Sequence, residues 1–220
     1  MAQSKQSATE DMLQKTFFCD FNNPAIQKLA EDLAGGERNP KKITQTVFKY
    51  VRDNIRFGFD IVQVKASDTL EKGYGSCWNK TILMVALLRY NKIPSRVAYN
   101  PVKREFMKPA MGDAYLTMPE SINHCFAQVY LDDQWIAVDP TLDQKTYEKL
   151  FVPFNVSWGI DWNGMSDCRL YTENICGPVG FFEDIDKAVQ SDVGNMMPPA
   201  SQAGQFFDPA NDAMWKAVDA

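Results

Sequence analysis

The sequence predicts an α+β fold: a helical N-terminal half with a buried central helix, packed on an antiparallel sheet. Three observations predict it. Apolar residues recur at helical spacing between positions 26 and 55, the run Ile82 to Leu88 is apolar on every side, and from His124 onward the period changes to two.

Asn23-Pro24 reads as an N-cap followed by proline at the first helical position. Ile26, Leu29, Ala30 and Leu33 form the apolar stripe of that helix, and Gly35-Gly36 stops it. Asn39-Pro40 repeats the start signal, and Ile43, Val47, Val51 and Ile55 mark a second helix of about four turns. Arg56 to Val64 reads as loop or short strand. Gly73-Tyr74-Gly75-Ser76 is expected to be a flexible approach to a third helix, from about Cys77 to Tyr90. A helix apolar all round is buried, so this one belongs at the centre. Asn91 and Pro94 end it, and Ser95 to Tyr99 continues as a strand.

Pro101 to Ile122 is expected to be irregular, broken by Pro109, Gly112 and Pro119, with Met107, Met111 and Met118 as adaptable apolar residues. Its length suits a lid or binding loop. Next, His124, Phe126, Gln128 and Tyr130 share one face of a strand, and Cys125, Ala127, Val129 and Leu131 the other. Asp132-Asp133-Gln134 reads as a turn, and Trp135 to Asp139 as the return strand of a hairpin. Phe151 to Trp162 and Arg169 to Tyr171 are expected to add strands, and Phe182 to Val193 a last helix. The predicted organisation is a lead-in over 1–22, one domain over 23–195 and a weakly determined tail over 196–220.

The 220 residues carry a formal net charge of −5 with no cluster of Lys and Arg, which argues against a nucleic-acid partner. Ile82 to Leu88 is far too short to span a bilayer, so no membrane partner is expected. Residues 3–7 are polar where a signal peptide needs an apolar core, so the expected location is cytoplasmic. The five cysteines, at 19, 77, 125, 168 and 176, are odd in number and irregular in spacing, which argues against a disulfide framework. No C-x-x-C pair suggests a structural zinc, and no cofactor or metal is expected. His124 is the single histidine, so any imidazole chemistry falls to it.

A cysteine becomes a nucleophile when it is held as thiolate. Cys77 sits at the predicted first turn of the central helix, where unpaired N–H groups and the helix dipole favour negative charge. Cys19, Cys125, Cys168 and Cys176 read instead as packing residues. If the hairpin loop has an even number of residues, with Leu131 facing Gln134, Asp139 falls opposite Phe126 and diagonal to His124 on the same face. A three-residue loop would turn Asp139 to the other face. The first register permits a His124–Asp139 hydrogen bond, which would fix the tautomer and raise the basicity of the ring.

The stretch GYGSCWNKTILMVALLRYNKIPSRVAY resembles the nucleophile segment of the transglutaminase-like superfamily. HCFAQVYLDDQWIAVDPTLD resembles its second segment, in which a His opens a strand and the return strand ends in Asp-Pro-Thr. Gly75-Ser76-Cys77-Trp78 also resembles the papain-type motif, which belongs to a related core. The resemblance implies that Cys77 is the attacking thiolate, His124 its base and Asp139 the residue that orients the base. It further implies an acyl-enzyme whose oxyanion meets the Cys77 N–H and a second donor. That donor is unassigned, because the position six before the nucleophile, Gln in papain-like enzymes, is Glu71 here. Trp78 reads as core or as a pocket wall. Three functions fit: a cysteine peptidase or amidase, an acyl transferase or cyclase resolving the same thioester, and a non-catalytic interaction domain. The first two would take a peptide, amide or thioester substrate.

Overall fold

The computed structural model describes residues 10–191 and 200–220. Asn23 and Asn39 each accept from the N–H two residues on, at 2.9 and 3.0 Å, capping α1 (Pro24–Ala34) and α2 (Pro40–Asn54). Gly35, at φ 55°, ends α1 in the left-handed conformation that glycine adopts without strain. Both helices pack on the central helix, here numbered α4 (Cys77–Tyr90), in which every residue from Trp78 to Arg89 is buried.

Two of those buried residues are basic, and each donates to backbone carbonyls. Lys80 Nζ donates to Arg52 O (3.1 Å) and Ile55 O (2.5 Å), capping the carbonyl end of α2. Burial pulls its pKa down to about 7, against the opposing charges of Asp143, Asp53 and Asp139. The Arg89 guanidinium donates to Ser95 O (3.0 and 2.8 Å), Gln14 O (2.7 Å) and Glu183 O (2.7 Å), drawing the following strand and two distant segments onto the far end of α4.

The sheet is antiparallel, in the order β5-β4-β3-β6, where β3 is Ser95–Lys103, β4 Ser121–Leu131, β5 Gln134–Val138 and β6 Gly180–Phe182. Cys125, Ala127 and Val129 of β4 are buried in the core shared with α4. The β4–β5 turn is the two residues Asp132 and Asp133, both at positive φ (48° and 63°), with Leu131 facing Gln134. This is the even loop that keeps Asp139 on the His124 face.

Several expectations are corrected. Gly73 to Ser76 is not a flexible approach: Gly73 ends α3 (Ala66–Lys72) at φ 71°, and β2 (Tyr74–Gly75) pairs in parallel with β1 (Arg56–Phe57). Glycine at 75 serves close packing, since a Cβ there would lie 2.7 Å from Asn79 Cβ. Positions 101–103 and 121–122 lie within β3 and β4, and 104–117 is a series of short helical turns. The aromatic stretches 151–162 and 169–171 form no strands. Phe151 ends one helical turn, 152–154 is another, and the chain then runs irregularly to an isolated bridge at Cys168. Phe182 lies in β6, the last predicted helix is Ile185–Gln190 (α5), and positions 192–193 fall outside the described residues.

Both ends of the described chain are tied down. Asp20 accepts from the Ser67 N–H and Oγ at 3.1 and 2.6 Å, the Phe17 and Phe18 N–H groups donate to Asp186, and Met12 and Cys19 are buried. At the other end α6 (Ala203–Asp219) lies within the tail expected over 196–220, of which 196–199 lie outside the described residues. Asn211 accepts from the Phe59 N–H (2.7 Å) and donates to Phe59 O (2.9 Å), while Trp215 Nε1 donates to Phe57 O (2.8 Å). Among the described residues no helix is long and apolar enough to cross a membrane.

The Asn211 contact makes a prediction. Asn211→Ala strands a buried N–H and C=O of Phe59, so urea denaturation should show a loss of about 1–3 kcal/mol. The exposed neighbouring change Asp212→Ala should stay within about 0.5 kcal/mol. Equal effects would show that α6 is not anchored by Asn211.

Candidate active site

The site begins at the first turn of α4. Asn79 Oδ1 accepts from the Ser76 N–H (2.9 Å) and Ser76 Oγ (2.6 Å), and Asn79 Nδ2 donates to Ile61 O (2.8 Å). That clasp fixes the turn on which Cys77 stands, half-buried, where the helix still has N–H groups without helical partners. His124 projects from β4 with 2% of its side chain exposed, and Asp139 follows directly after β5 with 0%.

His124 Nε2 lies 2.6 Å from Asp139 Oδ2. The Cys77 side chain also acts on the ring, raising the imidazole pKa from the side opposite the carboxylate bond. Asp139 is itself held by two N–H donors, Thr141 on Oδ1 (3.1 Å) and Leu170 on Oδ2 (3.2 Å). The structure therefore brings Cys77, His124 and Asp139 into one continuous contact chain.

The electrostatics follow from this packing. Burial alone would lower the His124 pKa, but the charge and hydrogen bond of Asp139, aided by Cys77, overcome it and raise it to about 10. Burial pushes the Asp139 carboxyl up, and the His124 charge and hydrogen bond more than reverse this, leaving it below its ordinary value. A buried imidazolium–carboxylate pair results.

Two aromatic residues enclose the imidazole. Tyr171 meets it edge-on, with ring centroids 4.8 Å apart, and Phe106 lies at 6.2 Å. Both also line a cleft of about 190 Å³, together with Lys108, Phe154 and Glu173. The connection between β3 and β4 thus reaches the site through Phe106. Sequence reasoning missed both side chains. The aromatic stretch at Tyr171 was the available signal, and it was read as strand.

Of the other cysteines, Cys19, Cys125 and Cys168 are buried, and Cys168 Sγ donates to Gly159 O at 2.8 Å. Cys176 is exposed, contrary to its reading as a packing residue. Trp78 is core, 2% exposed. Glu71 is exposed on α3. Among the described residues no group of three His, Cys, Asp or Glu side chains could hold a metal ion.

The core model of the transglutaminase-like superfamily matches residues 27–140, just over half the chain and a span containing Cys77, His124 and Asp139. The chain belongs to the transglutaminase-like superfamily. Solved structures similar to it include a Cytophaga hutchinsonii protein described as a candidate cysteine protease (19% identity, TM-score 0.48, 80% of this chain and 53% of that one). Red sea bream transglutaminase matches at 15% identity and TM-score 0.42, over 90% of this chain and 40% of that one. A candidate protease from Parabacteroides distasonis matches at 11% and 0.39, over 52% and 23%. This superfamily member thus spans about half the length of the first of these, and less of the others. A search of curated proteins finds no match to the chain.

Because His124 is the only histidine, its titration can be read without assignment. An NMR titration of its ring should give a midpoint near 10 rather than 6.5. The linked stability has the sign of a raised cation: fully present below pH 6.5, and lost as pH rises through about 10. A midpoint near 6.5 would contradict the buried ion pair.

Proposed function

We propose that this superfamily member is a thiol enzyme that forms an acyl-enzyme at Cys77 and hydrolyses an amide or peptide bond. The observation that carries the reading is the Cys77–His124–Asp139 contact chain, with the sulfur at a helix N-terminus and the carboxylate fully buried. The Cys77 sulfur attacks the carbonyl carbon, and the π pair moves to oxygen, where the Cys77 N–H receives it. The His124 imidazolium gives its proton to the departing amine. The neutral ring then takes a proton from water as the water attacks the thioester, and returns it to the sulfur as the acid leaves. Asp139 keeps the ring oriented and compensates its charge.

Hydrolysis is preferred to acyl transfer because a transferase must shield its thioester from water. Cys77 is only half-buried, which lets water in. Phe151, Trp158 and Trp162, which could have walled a dry tunnel, belong to the hydrophobic core, and Phe154 is 51% exposed.

The test is turnover of a peptide library followed by mass spectrometry. Cys77→Ala and His124→Ala should abolish it. Asp139→Asn should retain nucleophile and base and lose about 10²–10⁴-fold. Activity surviving Cys77→Ala would overturn the mechanism. An acyl adduct stable in water for hours but cleared quickly by a primary amine would replace hydrolysis with transfer.

A further inference from the structure

A tetrahedral adduct on Cys77 calls for more than one donor to its oxygen, and the helix end supplies the Cys77 N–H. Beside His124 stands a donor with no partner. Tyr171 is 2% exposed, and its shielded hydroxyl has no hydrogen-bond partner among the described residues. Buried tyrosine hydroxyls usually find a partner, and a site that needed only an aromatic filler would do better with phenylalanine.

The structure holds this residue in place at some cost. Its backbone is left-handed (φ 58°, ψ 25°), which is strained for a bulky side chain. The segment before it is laced onto the sheet. The Ala137 N–H donates to Asp167 Oδ1 (2.9 Å), the Cys168 N–H to Ala137 O (2.8 Å) and the Leu170 N–H to Asp139 Oδ2 (3.2 Å). Tyr171 is thereby set edge-on against His124, with Phe106 at 4.3 Å and Phe151 at 6.1 Å holding its ring. The phenol feels the charges of Asp139 and Cys77, which add to burial in raising its pKa well above the ordinary value. It remains a protonated donor throughout the working range.

We propose that the Tyr171 hydroxyl is the second oxyanion donor, a catalytic residue that binds the carbonyl oxygen as negative charge develops on it. The proposal rests on Cys77 forming an acyl-enzyme. As the S–C bond forms and the C=O π pair becomes the oxyanion, the oxygen accepts from the Cys77 N–H and the Tyr171 O–H. When C=O re-forms, the leaving group departs and both hydrogen bonds are released. A donor unpaired at rest and paired in the adduct favours the transition state over the ground state.

The experiment compares two reactions of the same sulfur in wild type and Tyr171→Phe. Acetylation by p-nitrophenyl acetate passes through an oxyanion, whereas alkylation by iodoacetamide does not. Tyr171→Phe should slow acetylation by about 100-fold and leave alkylation within about twofold. Its melting temperature should not fall, since the lost hydroxyl bonds to none of the described residues at rest. Equal acetylation rates would overturn the assignment of Tyr171 alone. A parallel fall in both rates would also overturn it, by showing that Tyr171 acts on the Cys77–His124 arrangement. A wild type that is not acetylated at Cys77 would sink the acyl-enzyme reading and Tyr171 with it.

Discussion

Holding an imidazolium and a carboxylate 2.6 Å apart, with 2% and 0% of their side chains exposed, removes both from water. The desolvation penalty is several kcal/mol per ion, and only well-placed partners offset it. Here they are present on both sides. Thr141 and Leu170 supply N–H groups to Asp139, and Cys77 further favours the charged imidazole. Removing any of these would strand a buried charge. That requirement explains why a two-residue turn, a strap along β5 and a helix N-terminus all converge on one histidine.

The position of Cys77 has its own determinants. Lys80, one turn further along α4, grips the carbonyl end of α2, and Arg89 grips three segments at the opposite end. These buried basic residues fix how deeply the helix lies and how it is rotated, because carbonyl acceptors are directional where apolar packing is not. Burial of α4 supplies the driving force, and the two basic side chains set the register that places the sulfur beside His124.

Much of this arrangement was legible in the sequence because its signals are short-range. Asn-Pro starts, a Gly-Gly stop and an all-apolar helix gave α1, α2 and α4, and strict alternation after His124 gave the hairpin and its face. The rest depends on contacts remote in sequence. The seven residues of α3 are too few to show a periodic stripe. α6 contains Pro209, a breaker signal, and is fastened by Asn211 and Trp215 to backbone about 150 residues away. The aromatic residues from Phe151 to Tyr171 have strand-like composition, yet Phe151 at the end of a helical turn and Trp158 and Trp162 in irregular chain serve as core fillers, since packing rather than propensity decides such segments. Tyr171 could not be found as a neighbour of His124, because its place follows from the Leu170 bond to Asp139.

The central claim is that His124 and the helix end together make the Cys77 sulfur the reactive thiol of the chain. Sub-stoichiometric iodoacetamide labelling of the native protein, followed by peptide mapping, tests it most directly, because Cys176 is the more exposed competitor. The account predicts that Cys77 is alkylated first, and that this preference disappears in His124→Ala. Faster labelling of Cys176 in the native chain, or a Cys77 preference unchanged without His124, would contradict it.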